Sequence, residues 1–240
     1  MLAGGAVAAV AAGPVVPAGV DDVLSRPIVI VLALAALSLV PIAFVTVTAF
    51  VKIETVLQIV RGAIGAQGVP STTVVMALSA ALTLLSMAPV GERIAGRAGP
   101  LLAPHAMDDT VAFVEHGVEV VVDPVRDFLR ANASEREKAR FLEVARHVRP
   151  DAEKAQVTDA DLGVLVPAFM VTELTEAFAL GFLLYLPFLV IDLVVSNVLL
   201  ALGMQMMTPT QVSLPFKLLL FVAIDGWGLL ARSLVAGYGH

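Results

Sequence analysis

Three ionisable residues, Asp192, Lys217 and Asp225, stand inside long apolar runs of this 240-residue chain. On membrane-insertion scales a charge at the centre of a spanning helix costs on the order of 2.5–3.5 kcal/mol. Each of the three must therefore meet an opposite charge, another chain or water. Arg232, close to the end of the last run, can snorkel to an interface instead. Patterns for catalysis or ligand binding do not occur. The four histidines, His105, His116, His147 and His240, are scattered without HExxH or any other paired spacing, so no metal site is expected. Gly62, Gly65 and Gly68 recur after an apolar segment, but the lysine of a phosphate-binding loop does not follow, and a helix end with a turn is expected there. There is no GxSxG elbow. The chain has no cysteine, which excludes disulfides and thiolate metal sites. The expectation is a protein that is not an enzyme and holds no cofactor.

The elements that must position these charges follow from composition. Hydrophobic residues make up 58% of the chain and charged ones 15%, against roughly 25% charged in an ordinary soluble domain. The formal charge of -6 gives no basic face for nucleic acid. A spanning helix needs about 20 mostly apolar residues, and four runs qualify: Ile28 to Val51, Val69 to Val90, Ala177 to Gly203, and Ser213 to Val235. The fold class expected is therefore all-α, with membrane-associated helical hairpins and a helical soluble insertion. Residues 1–26 form an N-terminal tail without the basic start of a secretory signal. Residues 27–90 form the first apolar hairpin, and 167–240 the second, with the uncharged GMQMMTPTQV turn inside it.

Between the hairpins, residues 91–166 hold 10 of the 15 basic and 14 of the 21 acidic residues, as a soluble insertion would. Val111, Val114, Val118, Val121, Val125 and Phe128 recur at helical spacing. Asp123 before Pro124 reads as an N-cap with proline in the first turn, interrupting that helix. Ser134-Glu135-Arg136-Glu137 is a capping box opening a second helix, which should stop before Pro150. Lys52 and Arg61 put the first connector in the cytoplasm by the positive-inside rule, which places the insertion on the periplasmic side.

Counting residues along the second hairpin gives an expectation for its charges. With helices ending at Gly203 and restarting after Ser213, Asp192 and Asp225 lie level, and Lys217 lies on the order of 10 Å away along the axis. Such a hairpin does not neutralise itself. Asp192, Lys217 and Asp225 would then pair across a subunit boundary, making the chain an obligate oligomer; bending at Pro187 or Pro215 is the competing explanation. A different function, an ion- or proton-coupled transporter component, would use the same three residues as a relay.

The segments PAFMVTELTEAFALGFLLYLPFLVIDLVVSNVLLALGM, SLPFKLLLFVAIDGWGLL and FVKIETVLQIVRGAIGAQGVPSTTVVMALSAALTLLSMAP closely resemble the FliP/SctR family of type III export-apparatus proteins. The likeness runs from about Pro27 to Tyr238 and is looser in the insertion, as at FLRANASEREKARFL. It implies a structural subunit of an inner-membrane export gate that passes unfolded proteins. The subunit would be a homopentamer joined by FliQ/SctS-like and FliR/SctT-like partners, with hairpins lifted toward the periplasm. Met204, Gln205 and Met206, followed by Met207, match the loop that narrows the family's pore, with Gln205 standing where many members have methionine. Asp192 and Lys217 match an acid and a lysine of subunit contacts, and Pro41, Pro89, Pro187 and Pro215 fall where bent helices are expected. The wording DLVVSN and FVAIDGW points to the injectisome branch.

Overall fold

A computed structural model describes residues 20–66, 68–99, 110–204 and 206–238. The expected N-terminal tail lies largely outside the described residues, as do His105, His240 and Gln205. The described residues contain helices and turns and no strand. The chain divides into two compact units, 1–42 and 43–240. In the first, the described residues belong to helix α1 (Val20–Val47), whose apolar side chains Val31, Leu34, Leu37 and Val40 are exposed.

The second unit continues from the end of α1 into α2 (Phe50–Ile64). The break between them has a local cause. Thr48 Oγ1 donates to the Phe44 carbonyl at 2.5 Å and accepts from Phe50 N–H at 3.3 Å, an alternative to the helical ladder. Helix α2 stops at Gly65, which takes the left-handed conformation (φ 76°) and returns its N–H to Arg61 O. Ile53, Val56, Leu57, Val60, Ala63 and Ile64 form one buried face at three- and four-residue spacing. Burying six such side chains contributes on the order of 10 kcal/mol before entropy is charged against it. That face packs chiefly on α7 (Leu162–Ala201). The close approach depends on Gly181 of α7, because a Cβ there would lie 3.0 Å from Ile59 Cγ2 and closer still to Cδ1.

Helix α3 (Thr72–Ser86) opens on Ser71, whose side chain accepts from Val74 N–H, and α4 (Ala88–Arg97) follows at a bend of 54° with Pro89 in its first turn. The buried hydroxyls of Thr83 and Ser86 bond back to carbonyls of α3, which keeps them satisfied in an apolar setting. Helices α8 (Pro209–Ala223) and α9 (Gly226–Ala236) meet at 57° around Asp225, a non-glycine residue at φ 53°. By length and composition α7 can cross a membrane alone. Three bent pairs (Leu37–Val47 with Phe50–Ile64, α3 with α4, α8 with α9) qualify only if each is one broken span. Among the described residues the runs expected from the sequence thus appear as one long helix and three bent pairs. At about 1.5 Å per residue α7 spans roughly 60 Å, twice a bilayer core. Its stretch from 177 to 201 has Asp192 as its only charge.

The insertion consists of α5 (Thr110–Asn132), α6 (Glu135–Val148) and a 3-10 turn (Lys154–Gln156). The capping box forms, with Ser134 Oγ accepting from Glu137 N–H at 3.3 Å, and α6 ends before Pro150. Asp123 is not a cap, and Pro124 does not interrupt α5. The buried face of Val120, Phe128 and Leu129 continues through the proline, so packing outweighs the hydrogen bond it forgoes. The Asp123 carboxylate accepts from Arg126 at 2.9 Å and Arg97 at 3.4 Å.

Candidate functional site

Helix α7 closes in a paired-bond stop: Gly203 N–H bonds Leu200 O at 3.1 Å, and Met204 N–H bonds Leu199 O at 2.9 Å. Gly203 has φ 71°, a conformation that costs a side-chain-bearing residue about 1–2 kcal/mol. Thr208 and Pro209 then open α8, proline taking a first-turn position where no N–H is needed. The methionines are held outward between these stops. Met206 is 100% exposed, Met207 45% and Met204 41%.

Beneath the turn lies a buried ionic tie. Lys217, 3% exposed, donates to Asp192 Oδ2 at 2.6 Å and to the Ala63 carbonyl at 3.0 Å. Ser213 Oγ donates to Asp192 Oδ1 at 2.6 Å. Ala63 sits in the last turn of α2, where carbonyls lack helical partners and a cation is favoured. One ammonium thus joins α2, α7 and α8. The first hairpin is fixed to the turn as well, for a Cβ on Gly65 would touch Thr210 Cγ2 at 3.7 Å and Lys217 Nζ at 4.0 Å.

This overturns the expected axial separation of Lys217 from Asp192. Helix α8 starts at Pro209, four residues earlier than Ser213, and α7 ends at Ala201. Asp192 is then nine residues before one end and Lys217 eight after the other start, so they lie level. The pair closes within one chain. Asp225 is not in mid-helix either. It occupies the α8–α9 break, largely exposed, with Arg232 Nη2 at 3.3 Å. Asp192, Lys217 and Asp225 therefore fall into two separate pairings, and no contact links them into a relay among the described residues.

A second buried cluster escaped the sequence reading. Lys52 of α2 lies 2.5 Å from Glu176 and 3.7 Å from Glu173 of α7, and Tyr238 beyond α9 donates to Glu173 Oε2. Glu173 itself is buried, at 1% exposure. Burial also raises the Tyr238 hydroxyl, with the Glu173 charge adding to it, so Tyr238 remains a donor. The only hint in the sequence is that Lys52 closes one apolar run while Glu173 and Glu176 precede another. Among the described residues no three His, Asp or Glu side chains gather as metal ligands.

Apolar helices broken at polar residues, with charges satisfied internally and an exposed methionine turn, define a helical membrane protein built on two hairpins. The FliP family model matches residues 33–234, and this chain belongs to the FliP family. It is 45% identical over 204 residues to the hypersensitivity response secretion protein HrcR of Ralstonia nicotianae, covering 85% of this chain and 93% of that protein. It is 40% identical over 210 residues to Yop proteins translocation protein R of Yersinia pestis, covering 88% and 95%. The flagellar biosynthetic protein FliP of Caulobacter vibrioides is 39% identical over 213 residues, covering 89% and 77%.

Proposed function

We propose that this chain is a structural subunit of the type III secretion export gate in the bacterial inner membrane, forming the pore entry for unfolded proteins. It acts as a homopentamer with FliQ/SctS-like and FliR/SctT-like subunits, in the injectisome branch, with residues 91–166 on the periplasmic side. The observation that carries this reading is the methionine turn, fully exposed at Met206 and anchored by the buried Lys217 tie. Methionine is unbranched and adapts its shape, so several copies around one axis make a soft apolar seal that yields to a passing polypeptide. An amide at position 205 of the sequence suits such a wet axis, where water supplies the hydrogen-bonding partners that burial would withhold.

Replacing Met204, Gln205, Met206 and Met207 with alanine is expected to leave assembly intact and make membranes carrying the gate leak small ions. Native mass measurement of the detergent-extracted complex checks the pentamer and its partner subunits at the same time. Parental conductance in a normally assembled alanine variant would reduce the turn to a packing element.

A further inference from the structure

Residues 27–90 and 167–240 carry nine acidic and basic side chains, and seven of them are matched within the chain: Lys52 with Glu173 and Glu176, Lys217 with Asp192, Arg232 with Asp225. The other two, Glu54 and Arg61, are half-buried on α2 and meet no opposite charge among the described residues. Gln58 stands between them, its amide donating to Glu54 Oε1 at 2.7 Å and its oxygen accepting from Arg61 Nη1 at 3.3 Å. The second Glu54 oxygen accepts from Ser79, and Arg61 Nη1 also donates to Thr72 Oγ1 at 2.9 Å. All these partners are neutral. Both Arg61 bonds leave from Nη1, so the Nε–Nη2 edge, which can grip a carboxylate with two parallel bonds, is unused. At 3.6 residues per turn Glu54 shares one side of α2 with Gln58, Arg61, Gly62, Gly65 and Ala66. These last five line a hollow of about 290 Å³. Gly65 and Ala66 also border a second hollow of about 760 Å³ that reaches α8 at Thr210 and Leu214. A Cβ on Gly62 would meet nothing within 4 Å, so another helix can come close to the α2 backbone there.

We propose that this side of α2 docks an apolar helix of a different membrane subunit, one that sets a carboxylate against Arg61 and a basic side chain against Glu54. The two groups on that helix stand about two turns apart, matching the roughly 10 Å between Glu54 and Arg61 along α2. The inference rests on the reading above that the chain assembles with other export-gate subunits. Charge decides among the possible occupants. A neighbouring copy has its other hairpin charges already matched, and its own Glu54 and Arg61 would answer only across a two-fold axis, which a ring of five lacks. An anionic lipid headgroup suits Arg61 but is repelled by Glu54 on the same side.

Native mass spectrometry of the full-length chain, co-expressed with its FliQ/SctS-like and FliR/SctT-like subunits and extracted in detergent, tests this. Arg61→Glu turns a like charge toward the partner's acid and should lower the bound partner about tenfold while the homo-oligomer persists. Arg61→Lys keeps the charge, loses the planar fork and should fall between that variant and the parent. Gly62→Leu fills the hollow without touching any other part of the chain and should exclude the partner as Arg61→Glu does. Parental partner content in both Arg61→Glu and Gly62→Leu overturns the proposal. If Arg61→Glu does not fold, parental content in Gly62→Leu overturns it alone. Loss of the homo-oligomer in a folded variant assigns this side of α2 to a contact between copies and overturns it too. So does loss of bound anionic phospholipid with partner content unchanged. A parent complex that lacks both partner subunits refutes the assembly reading itself, before any variant is compared.

Discussion

Replacing Lys217 by methionine removes the 2.6 Å ion pair, the 3.0 Å bond to Ala63 O and the cation at the end of α2. Stranding one member of a buried pair costs about 3–5 kcal/mol. The stranded group here is Asp192, whose side chain is 29% exposed and still held by Ser213, so water recovers part of the loss. Lys217→Met should therefore cost about 3 kcal/mol, the lower end of that range. Asp192→Leu strands an ammonium whose side chain is only 4% exposed, leaving it the Ala63 carbonyl alone. This change should cost more, about 4 kcal/mol. The double variant strands nothing, and a coupling of about 2–3 kcal/mol should appear in the cycle. Denaturant unfolding in detergent measures all four proteins, first as isolated chains at high dilution and then assembled. Because the pair closes within one chain, the coupling should persist in the dispersed monomer. Additive losses, or a coupling found only in the assembled form, would refute the intrachain tie.

Other substitutions probe the scaffold around the site. Gly181→Val drives side-chain atoms into Ile59 and should cost about 2–3 kcal/mol by overpacking, read as a lower unfolding midpoint. Gly203→Ala should cost about 1–2 kcal/mol for the left-handed conformation and leave secretion slower, because the methionine turn is displaced. Ser134→Ala removes the α6 cap and the bond from Thr172, with an expected loss of about 1–2 kcal/mol and faster proteolysis of the insertion.

The sequence made the helical class legible because apolar runs of spanning length admit few other structures. The α6 cap was also readable, since Ser134 and Glu137 act within one turn. The breaks were less so. Thr48 and Asp225 interrupt runs whose hydropathy continues unchanged, and only the hydrogen bonds of one and the backbone of the other reveal it. Pro124 failed as a boundary because the α5 face it interrupts is buried by contacts distant in sequence. The Lys217–Asp192 pair was misplaced by a four-residue error in where α8 begins, about 6 Å along a helix, enough to separate a salt bridge. Tyr238 was invisible, since nothing local marks a tyrosine near a chain end as the partner of an acid 65 residues earlier.

The internal satisfaction of charge decides what kind of surroundings this chain fits. Lys52, Lys217, Glu173 and Asp192 each have a partner within the chain. What α7 turns outward instead is Phe178, Phe182, Val190, Val194 and Val198, all exposed. Helix α8 adds Phe216, Leu219 and Val222. Valines 190, 194 and 198 and Phe216 line a cavity of about 440 Å³ between these two helices, with almost no polar atom on its walls. Surfaces of this kind gain free energy by area and shape rather than by charge. Neighbouring helices or lipid chains both satisfy them, but only helices bring side chains that fill so deep a groove at protein packing density. The ionic ties satisfy charge within the chain, and the apolar faces they leave free are what any association would bury.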